Sequence, residues 1–372
     1  MRIRIPKPKI YDVYIFKQVL FATIAAILLF TIVWIAPETL LNTIKDALSG
    51  SYGIKTAILY LFYELPKIMV KAFPVGLLLG TLFTFDKLSK DSELTIFRAT
   101  GLSFGRIIAP VVVLSVIITY LCYFTSDRLV PYAADKTDRI SGYTQQTQFL
   151  YTQKDDAGHP TKTIVVSKSK VKKLFNVIVL DFSNEVYSDV HQLSTIYFAK
   201  TGEVLDDCWK LYDITEYKIS QDGIFHTIGR HNTMPILDSE SAKNAYMLME
   251  YSTKKEREIT NSNLNKYIKL LKQEGLDEEY RYMLNKYLQR FLHPCVCIIL
   301  AIMGCLLGFS KPREQRLIGF TIAIGCIFLY YITLPFFDLL AEKGILSPFI
   351  TASFPPIAFS AAVVAFFKAK EL

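Results

Sequence analysis

The 372-residue chain lacks the motifs that nucleotide binding and metal binding usually require. It contains no G-x-x-x-x-G-K-[ST] loop to hold nucleotide phosphates and no H-E-x-x-H zinc motif. Its five histidines are scattered, and no spacing of cysteine and histidine is typical of zinc. We therefore predict no catalytic residues, no metal and no directly bound cofactor, and an enzyme is the least favoured class of function. Any energy for moving a cargo would have to come from a partner.

The polar middle of the chain lacks the pair of cysteines that a disulfide would need. Five of the six cysteines lie in or at the ends of apolar runs, where a thiol behaves as a small hydrophobe. Cys208 alone falls in the middle of the chain. That part is therefore predicted to fold on its own core even in an oxidising compartment.

Apolar residues, in contrast, are abundant. A hydrophobic content of 51% is too high for an ordinary soluble protein of this length, whereas 20% charged residues are too many for a chain buried wholly in lipid. Six apolar runs are long enough to cross about 30 Å of hydrocarbon. The predicted spans cover residues 13–36, 66–85, 107–124, 291–309, 317–337 and 349–367.

The net charge of +8 is spread beside these spans, so it does not form the single basic patch of a nucleic-acid-binding protein, and no nucleic-acid partner is predicted. Basic residues cluster in residues 2–9 and in the connector 310–316. Because basic loops stay on the cytoplasmic side of a membrane, both termini are predicted to be cytoplasmic. The segment that follows the third span is then predicted to lie outside the cell membrane.

Residues 126–255 have no long apolar run and show short β-type stretches such as KTIVVS and LFNVIVLDF, separated by turn signals. Short strands without intervening helices predict an antiparallel sandwich or roll. We therefore predict an α-helical membrane protein with an inserted antiparallel β domain. Its parts are an N-terminal membrane half of three spans (1–125), the β domain (126–255), and a helical linker with a C-terminal membrane half of three spans (256–372).

The most distinctive stretch is KLSKDSELTIFRATGLS, residues 87–103. Ser89 is expected to cap a helix of about ten residues that Gly101 ends, with acids in its first turn and a base in its last. Such a helix is too short to be stable alone in water and too polar to span lipid, so it must dock. Leu94 and Phe97 share one face, which suits insertion into a groove on another protein. An amphipathic connector that rests on the headgroups is the alternative.

Three charged residues in the outward half of the second span form the second candidate site. Glu64, Lys67 and Lys71 share one helix face. Two cations at this depth are costly unless they snorkel to headgroups or meet anions. They are candidate substrate-binding residues that contact the phosphates of a lipid in a central cavity, and snorkelling at the interface is the alternative.

Gly76 and Gly80 form a G-x-x-x-G on the same span, where small residues let helices approach closely. The motif is explained equally well by packing within one chain and by pairing with a second subunit.

The stretch 87–103 resembles the "LsrdsElvalrasGis" segment of the LptF/LptG family of lipopolysaccharide export permeases. The residues that match are Ser92, Glu93, Leu94, Arg98, Ala99 and Gly101. Pro66 and Pro74 match the paired prolines of the family, and the order of elements is also similar. In that family the segment is the coupling helix of an ABC transporter. The resemblance therefore implies ATPase-coupling roles for Ser92, Glu93, Leu94, Arg98 and Gly101. Phe97 is a further candidate coupling residue because it shares the docking face with Leu94.

The same resemblance implies fold, location and partners. The β domain would be a periplasmic jellyroll, and the protein would lie in the bacterial inner membrane. The implied partners are a cytoplasmic ABC ATPase dimer that hydrolyses the ATP, a paralogous permease or a second copy, periplasmic jellyroll bridge proteins, and lipopolysaccharide as cargo. The alternative is a non-transporting membrane scaffold or sensor whose β domain binds an envelope partner.

Overall fold

The computed structural model describes residues 9–35, 39–49, 53–141, 149–154, 159–170, 172–182, 195–205, 207–219, 225–252, 254–309 and 317–369. The chain divides into two compact units. The helical unit comprises Met1–Ile140 with Glu256–Leu372, and the sheet unit comprises Ser141–Lys255. The basic segments 2–8 and 310–316, on which the predicted orientation depends, lie outside the described residues.

The described part of the chain contains eleven α-helices. They are α1 (Ile10–Ile35), α2 (Leu41–Leu48), α3 (Ile54–Lys90), α4 (Glu93–Ala99), α5 (Phe104–Phe124), α6 (Val130–Ser141), α7 (Ser239–Ser252), α8 (Asn261–Gln273), α9 (Asp277–Gly308), α10 (Leu317–Glu342) and α11 (Pro348–Ala369). Six helical segments are long and apolar enough to cross a membrane, namely α1, α3, α5 with its continuation into α6, α9, α10 and α11. The predicted six spans are therefore confirmed.

Glycines bring α3 close to two neighbours in the helical unit. A Cβ atom added to Gly80 would lie 2.6 Å from the Cα of Thr23 on α1. A Cβ atom added to Gly308 of α9 would lie 2.6 Å from the carbonyl oxygen of Leu82 on α3. Because such approaches leave no room for a side chain, the two glycines set the α1–α3 and α3–α9 distances. Packing within the chain therefore accounts for the close approach at Gly80, and pairing with a second subunit stays a prediction.

The third span continues further than its hydropathy indicates. After α5 the backbone passes through a π-helical turn, Thr125–Leu129, into α6, and residues up to Ile140 group with the helical unit. The β domain was predicted to start at 126, whereas the sheet unit starts at Ser141. Hydropathy falls where charged residues begin, but α6 keeps an amphipathic pattern with Val130 and Ala133 buried, so the helix extends beyond the apolar run.

The sheet unit contains six antiparallel strands in sequential order. They are β1 (Phe149–Lys154), β2 (Pro160–Lys170), β3 (Lys173–Asp181), β4 (Thr195–Val204), β5 (Trp209–Ile219) and β6 (Phe225–Ile236). Each pairs with the next, so the described strands form a meander with β1 and β6 at its edges. The predicted antiparallel β architecture is confirmed at this level.

Helix α7 is fixed to this sheet through Trp209, the largest fully buried side chain in the described residues. The indole Nε1 of Trp209 donates a hydrogen bond of 3.1 Å to the carbonyl oxygen of Ala242. Asp238 precedes α7, and its Oδ2 accepts from the backbone N–H of Ser241 at 3.5 Å. Hydrogen bonding to Ser241 lowers the pKa of the Asp238 carboxyl, because the bond favours the charged form. Asp238 therefore acts as an N-cap for α7.

Candidate coupling and cargo sites

The predicted coupling helix is shorter than the sequence suggested. Ser89 does not cap it, because α3 continues to Lys90 and the buried Ser89 hydroxyl instead donates to the carbonyl oxygen of Gly308 at 3.1 Å. Ser92 takes a left-handed conformation with φ of 60° and precedes α4. A left-handed serine is uncommon, and here it separates two helices with a sharp change of direction. The expected start at Ser89 was therefore wrong.

The end of α4 agrees with the sequence. Gly101 has φ of +83°, the left-handed conformation in which glycine is favoured. Its N–H bonds to the carbonyl of Arg98 at 2.9 Å, and the N–H of Leu102 bonds to the carbonyl of Phe97 at 3.3 Å. These two bonds form a Schellman motif that closes the helix. The expectation that Gly101 ends the helix in this way is confirmed.

The face of α4 that was expected to contact a partner points into the chain itself. Leu94 is only 2% exposed and packs in the core of the helical unit with residues of α3 and α5. Phe97 is half-buried, with its ring centroid 6.2 Å from that of Tyr11 on α1. The opposite face carries Ile96, which is 60% exposed, with Thr95 exposed beside it. A partner protein would therefore meet Ile96, not Leu94.

The charged residues of α4 connect it to two membrane helices. The hydroxyl of Tyr14 on α1 donates to Oε1 of Glu93 at 3.0 Å. The guanidinium of Arg98 lies 5.6 Å from the ring centroid of Phe309, directly after α9. Helix α4 is therefore in contact with the first turns of α1 and with the residue that follows α9.

The structure brings the three candidate cargo residues together and gives each cation a contact within the chain. Lys67 Nζ lies 3.3 Å from Oε2 of Glu64, and both side chains are partly buried. Lys71 Nζ lies 5.0 Å above the ring of Trp34 on α1. An ion pair and a cation–π contact lower the cost of holding these cations on an otherwise apolar helix. A contact between the lysines and cargo stays a prediction.

Sequence reasoning missed a buried polar cluster between α9, α10 and α11. Asp338 on α10 accepts hydrogen bonds of 2.8 Å from Asn285 Nδ2 and from Gln289 Nε2, and it also accepts one from Lys286 Nζ. Thr351 Oγ1 on α11 donates to Asn285 Oδ1 at 2.9 Å. Asp338 falls one residue after the predicted span 317–337, whereas α10 continues to Glu342 and buries the acid. The available signal was thus an acid at the end of an apolar run, since a buried acid requires partners.

Residues 101–105, Gly-Leu-Ser-Phe-Gly, have the G-x-S-x-G spacing of a hydrolase nucleophile elbow. A nucleophile elbow requires a strand, a sharp turn and a helix. Ser103 instead follows the end of α4 and stands at the N-cap of α5, with φ of −69° and ψ of 153°. The geometry is that of a helix start, so the spacing does not indicate a nucleophile. Among the described residues, no group of three or more acids, histidines or cysteines could hold a metal ion.

Comparison with protein families gives a match over nearly the whole chain. The family model described as the lipopolysaccharide export system permease LptF/LptG matches residues 13–369. A search of curated proteins finds no match.

Proposed function

Because the chain belongs to the LptF/LptG family of lipopolysaccharide export permeases, we propose that it is the permease subunit of an ABC-type exporter driven by a separate ATPase. Family membership and six apolar helices make the chain a multi-pass transport subunit of the inner membrane rather than an ordinary enzyme. In this proposal a cytoplasmic ABC ATPase dimer hydrolyses the ATP, and the chain contributes no nucleotide site. The cargo is lipopolysaccharide, which the complex extracts from the inner membrane.

We also propose the orientation of the chain. Both termini are cytoplasmic, three spans lie on each side of the exported β domain, and that domain is a periplasmic jellyroll. The basic flanks of the spans support this arrangement, since positive residues stay on the cytoplasmic side. Among the described strands β1 and β6 lie at the two edges of the sheet, and in the proposal a jellyroll bridge protein docks at such an edge, because a sheet edge can pair with a strand of another chain.

The coupling role depends mainly on the position of Ile96. Helix α4 lies between two candidate spans, with one face fixed in the core and the other exposing an apolar side chain. In the proposal Ile96 inserts into a groove of the ATPase, while the Tyr14–Glu93 and Arg98–Phe309 contacts transmit the movement to α1 and α9. ATP-driven closure of the ATPase dimer then narrows a cavity shared with a paralogous permease or a second copy. The lipid in that cavity is expelled toward the bridge.

Purification of the full-length protein from native membranes tests this proposal. We expect an ATPase dimer and a phosphorylated glycolipid to copurify with the parent chain. Ile96→Asp should lose the ATPase, because a buried charge in an apolar groove is strongly unfavourable. Leu205→Asp is the matched control, since Leu205 is an exposed apolar residue, at 41% exposure, of the sheet unit.

Two results would contradict the proposal. Loss of the ATPase in Leu205→Asp as well would mean that the Ile96 result is not specific. Absence of either the ATPase or the glycolipid from the parent preparation would favour the membrane scaffold or sensor.

A further inference from the structure

A groove between α1 and α5 lies at the same end of the helical unit as α4. The cavity has a volume of about 250 Å³, and Asp12 and Arg106 are its charged lining residues. The rest of the lining is apolar and includes Phe16 on α1 with Pro110 and Val113 on α5. The groove therefore combines a charged pair at the first turns of two spans with an apolar wall that continues along both helices.

The charged end of the groove is held in place by several contacts. Arg106 Nη2 donates to Asp12 Oδ2 at 2.7 Å, and Arg106 Nε donates to the Tyr11 hydroxyl at 2.7 Å. The backbone N–H of Lys9 also donates to Asp12 Oδ2, at 2.9 Å. The Arg106 side chain is 39% exposed, so its guanidinium can still reach an anion.

Asp12 is incompletely satisfied. The residue is 8% exposed, and its Oδ1 atom is buried with no hydrogen-bond partner among the described residues. A buried acceptor without a donor is energetically costly. The terminal torsion of an aspartate is soft, so a small rotation turns this oxygen toward the cavity that Asp12 lines. The Arg106 guanidinium can thus bind an anion, and the neighbouring Oδ1 of Asp12 can accept a hydrogen bond from an N–H donor.

We propose that this groove binds an aminophospholipid of the leaflet at the α4 end, with its phosphate on Arg106 and its primary ammonium on Oδ1 of Asp12. Only a headgroup that carries both a phosphate and an ammonium with N–H donors satisfies both residues. The acyl chains then lie along Phe16 and Val113 in the apolar part of the groove. The bound lipid would also brace α4, because Tyr11 bonds to Arg106 and contacts Phe97. The proposal does not depend on the ATPase or on the exported cargo.

Native mass spectrometry of the full-length protein with defined lipids tests the site. We expect phosphatidylethanolamine to be retained about tenfold better than phosphatidylcholine, whose quaternary ammonium has no N–H to donate. Phosphatidylglycerol, which has no cation, should also be retained less well. The order in which the parent protein retains the three lipids tests the proposal without any variant. Equal retention of the three lipids would overturn it.

Variants assign the effect to the two residues. Asp12→Asn keeps the shape of the side chain and an acceptor oxygen but removes the charge, so the preference for phosphatidylethanolamine over phosphatidylcholine should narrow, because an ammonium donates a stronger hydrogen bond to a carboxylate than to a neutral amide oxygen. Arg106→Gln should weaken retention of all three lipids. Asp91→Asn, an exposed acid near the same helix ends but outside the groove, is the control and should behave as the parent. An unchanged preference in Asp12→Asn would refute the role of its carboxylate.

Discussion

Replacing Gly80 with alanine tests whether the closeness of α1 and α3 determines the stability of the helical unit. The added Cβ would lie 2.6 Å from Thr23 Cα and 2.7 Å from Thr23 N, against about 3.5–4.0 Å for carbon atoms at their optimal separation. Both are backbone atoms, so no rotamer change relieves the overlap. Helix α1 must move away by about 1 Å, and overpacking of this kind costs about 1–3 kcal/mol.

The matched control is Gly325→Ala on α10. A Cβ at residue 325 meets nothing within 4 Å in the described chain. Alanine is favoured over glycine in a helix by about 0.5–1 kcal/mol, so this control should be neutral or slightly stabilising. Because the gain of alanine over glycine applies to both helices, the two variants should differ by the overpacking cost alone, about 1–3 kcal/mol.

The assay is heating of the detergent-purified protein, followed by gel filtration to measure the fraction that stays monodisperse. We expect a clearly lower midpoint for Gly80→Ala than for the parent and the control. Equal midpoints for the two alanine variants would refute the packing argument. A normal midpoint with loss of a copurifying second permease would instead show that Gly80 pairs two subunits.

Three further predictions concern charged residues. Alanine at both Lys67 and Lys71 should weaken glycolipid retention and make it less sensitive to salt, whereas retention curves that overlay those of the parent would leave only snorkelling. Asp338→Leu should destabilise the protein by about 3–5 kcal/mol, because it leaves Lys286 buried without its anion. Adding Lys286→Met should recover part of this loss of stability. A melting midpoint of Asp338→Leu equal to that of the parent would contradict the prediction. The lowered pKa of Asp238 means that its cap is fully effective above the ordinary value of 3.8 and is lost as the pH falls through the lower folded value. The rate of amide hydrogen exchange in α7, corrected for the intrinsic rate, should rise in the parent as the pH falls through that acidic range. In Asp238→Asn the corrected rate should not change with pH there.

The sequence predicted the spans well because their signal is local. A run of about 20 apolar residues is by itself the signal of a membrane-spanning helix. Six helices are found where six such runs occur. Alternating strands between turn signals likewise indicated the antiparallel sheet. The resemblance of residues 87–103 to one family was sufficient to identify that family.

The orientation of α4 could not be predicted in the same way. Spacing along a helix shows that Leu94 and Phe97 share a face, but it does not show whether that face points inward or outward. The bond from Tyr14 to Glu93 joins residues 79 positions apart, so only the fold brings them together. The contact of Ser89 with Gly308 is another example, since it depends on the close packing of α3 and α9 and overrides the local capping preference.

Helix α3 joins the two candidate sites mechanically. It is one continuous helix of 37 residues, about 55 Å long at 1.5 Å per residue. Lys67 and Lys71 lie along it, and α4 begins at Glu93, after Asp91 and Ser92. A hydrogen-bonded helix resists shortening along its axis, so an axial shift at Lys90 reaches Lys71 almost undiminished. Pro66 and Pro74 are the positions inside α3 where bending is easiest, because proline removes a backbone hydrogen bond. A movement at the α4 end would therefore reach the lysines through one continuous helix. The length of that helix sets the distance between the two sites, and its two prolines are the positions where it can bend.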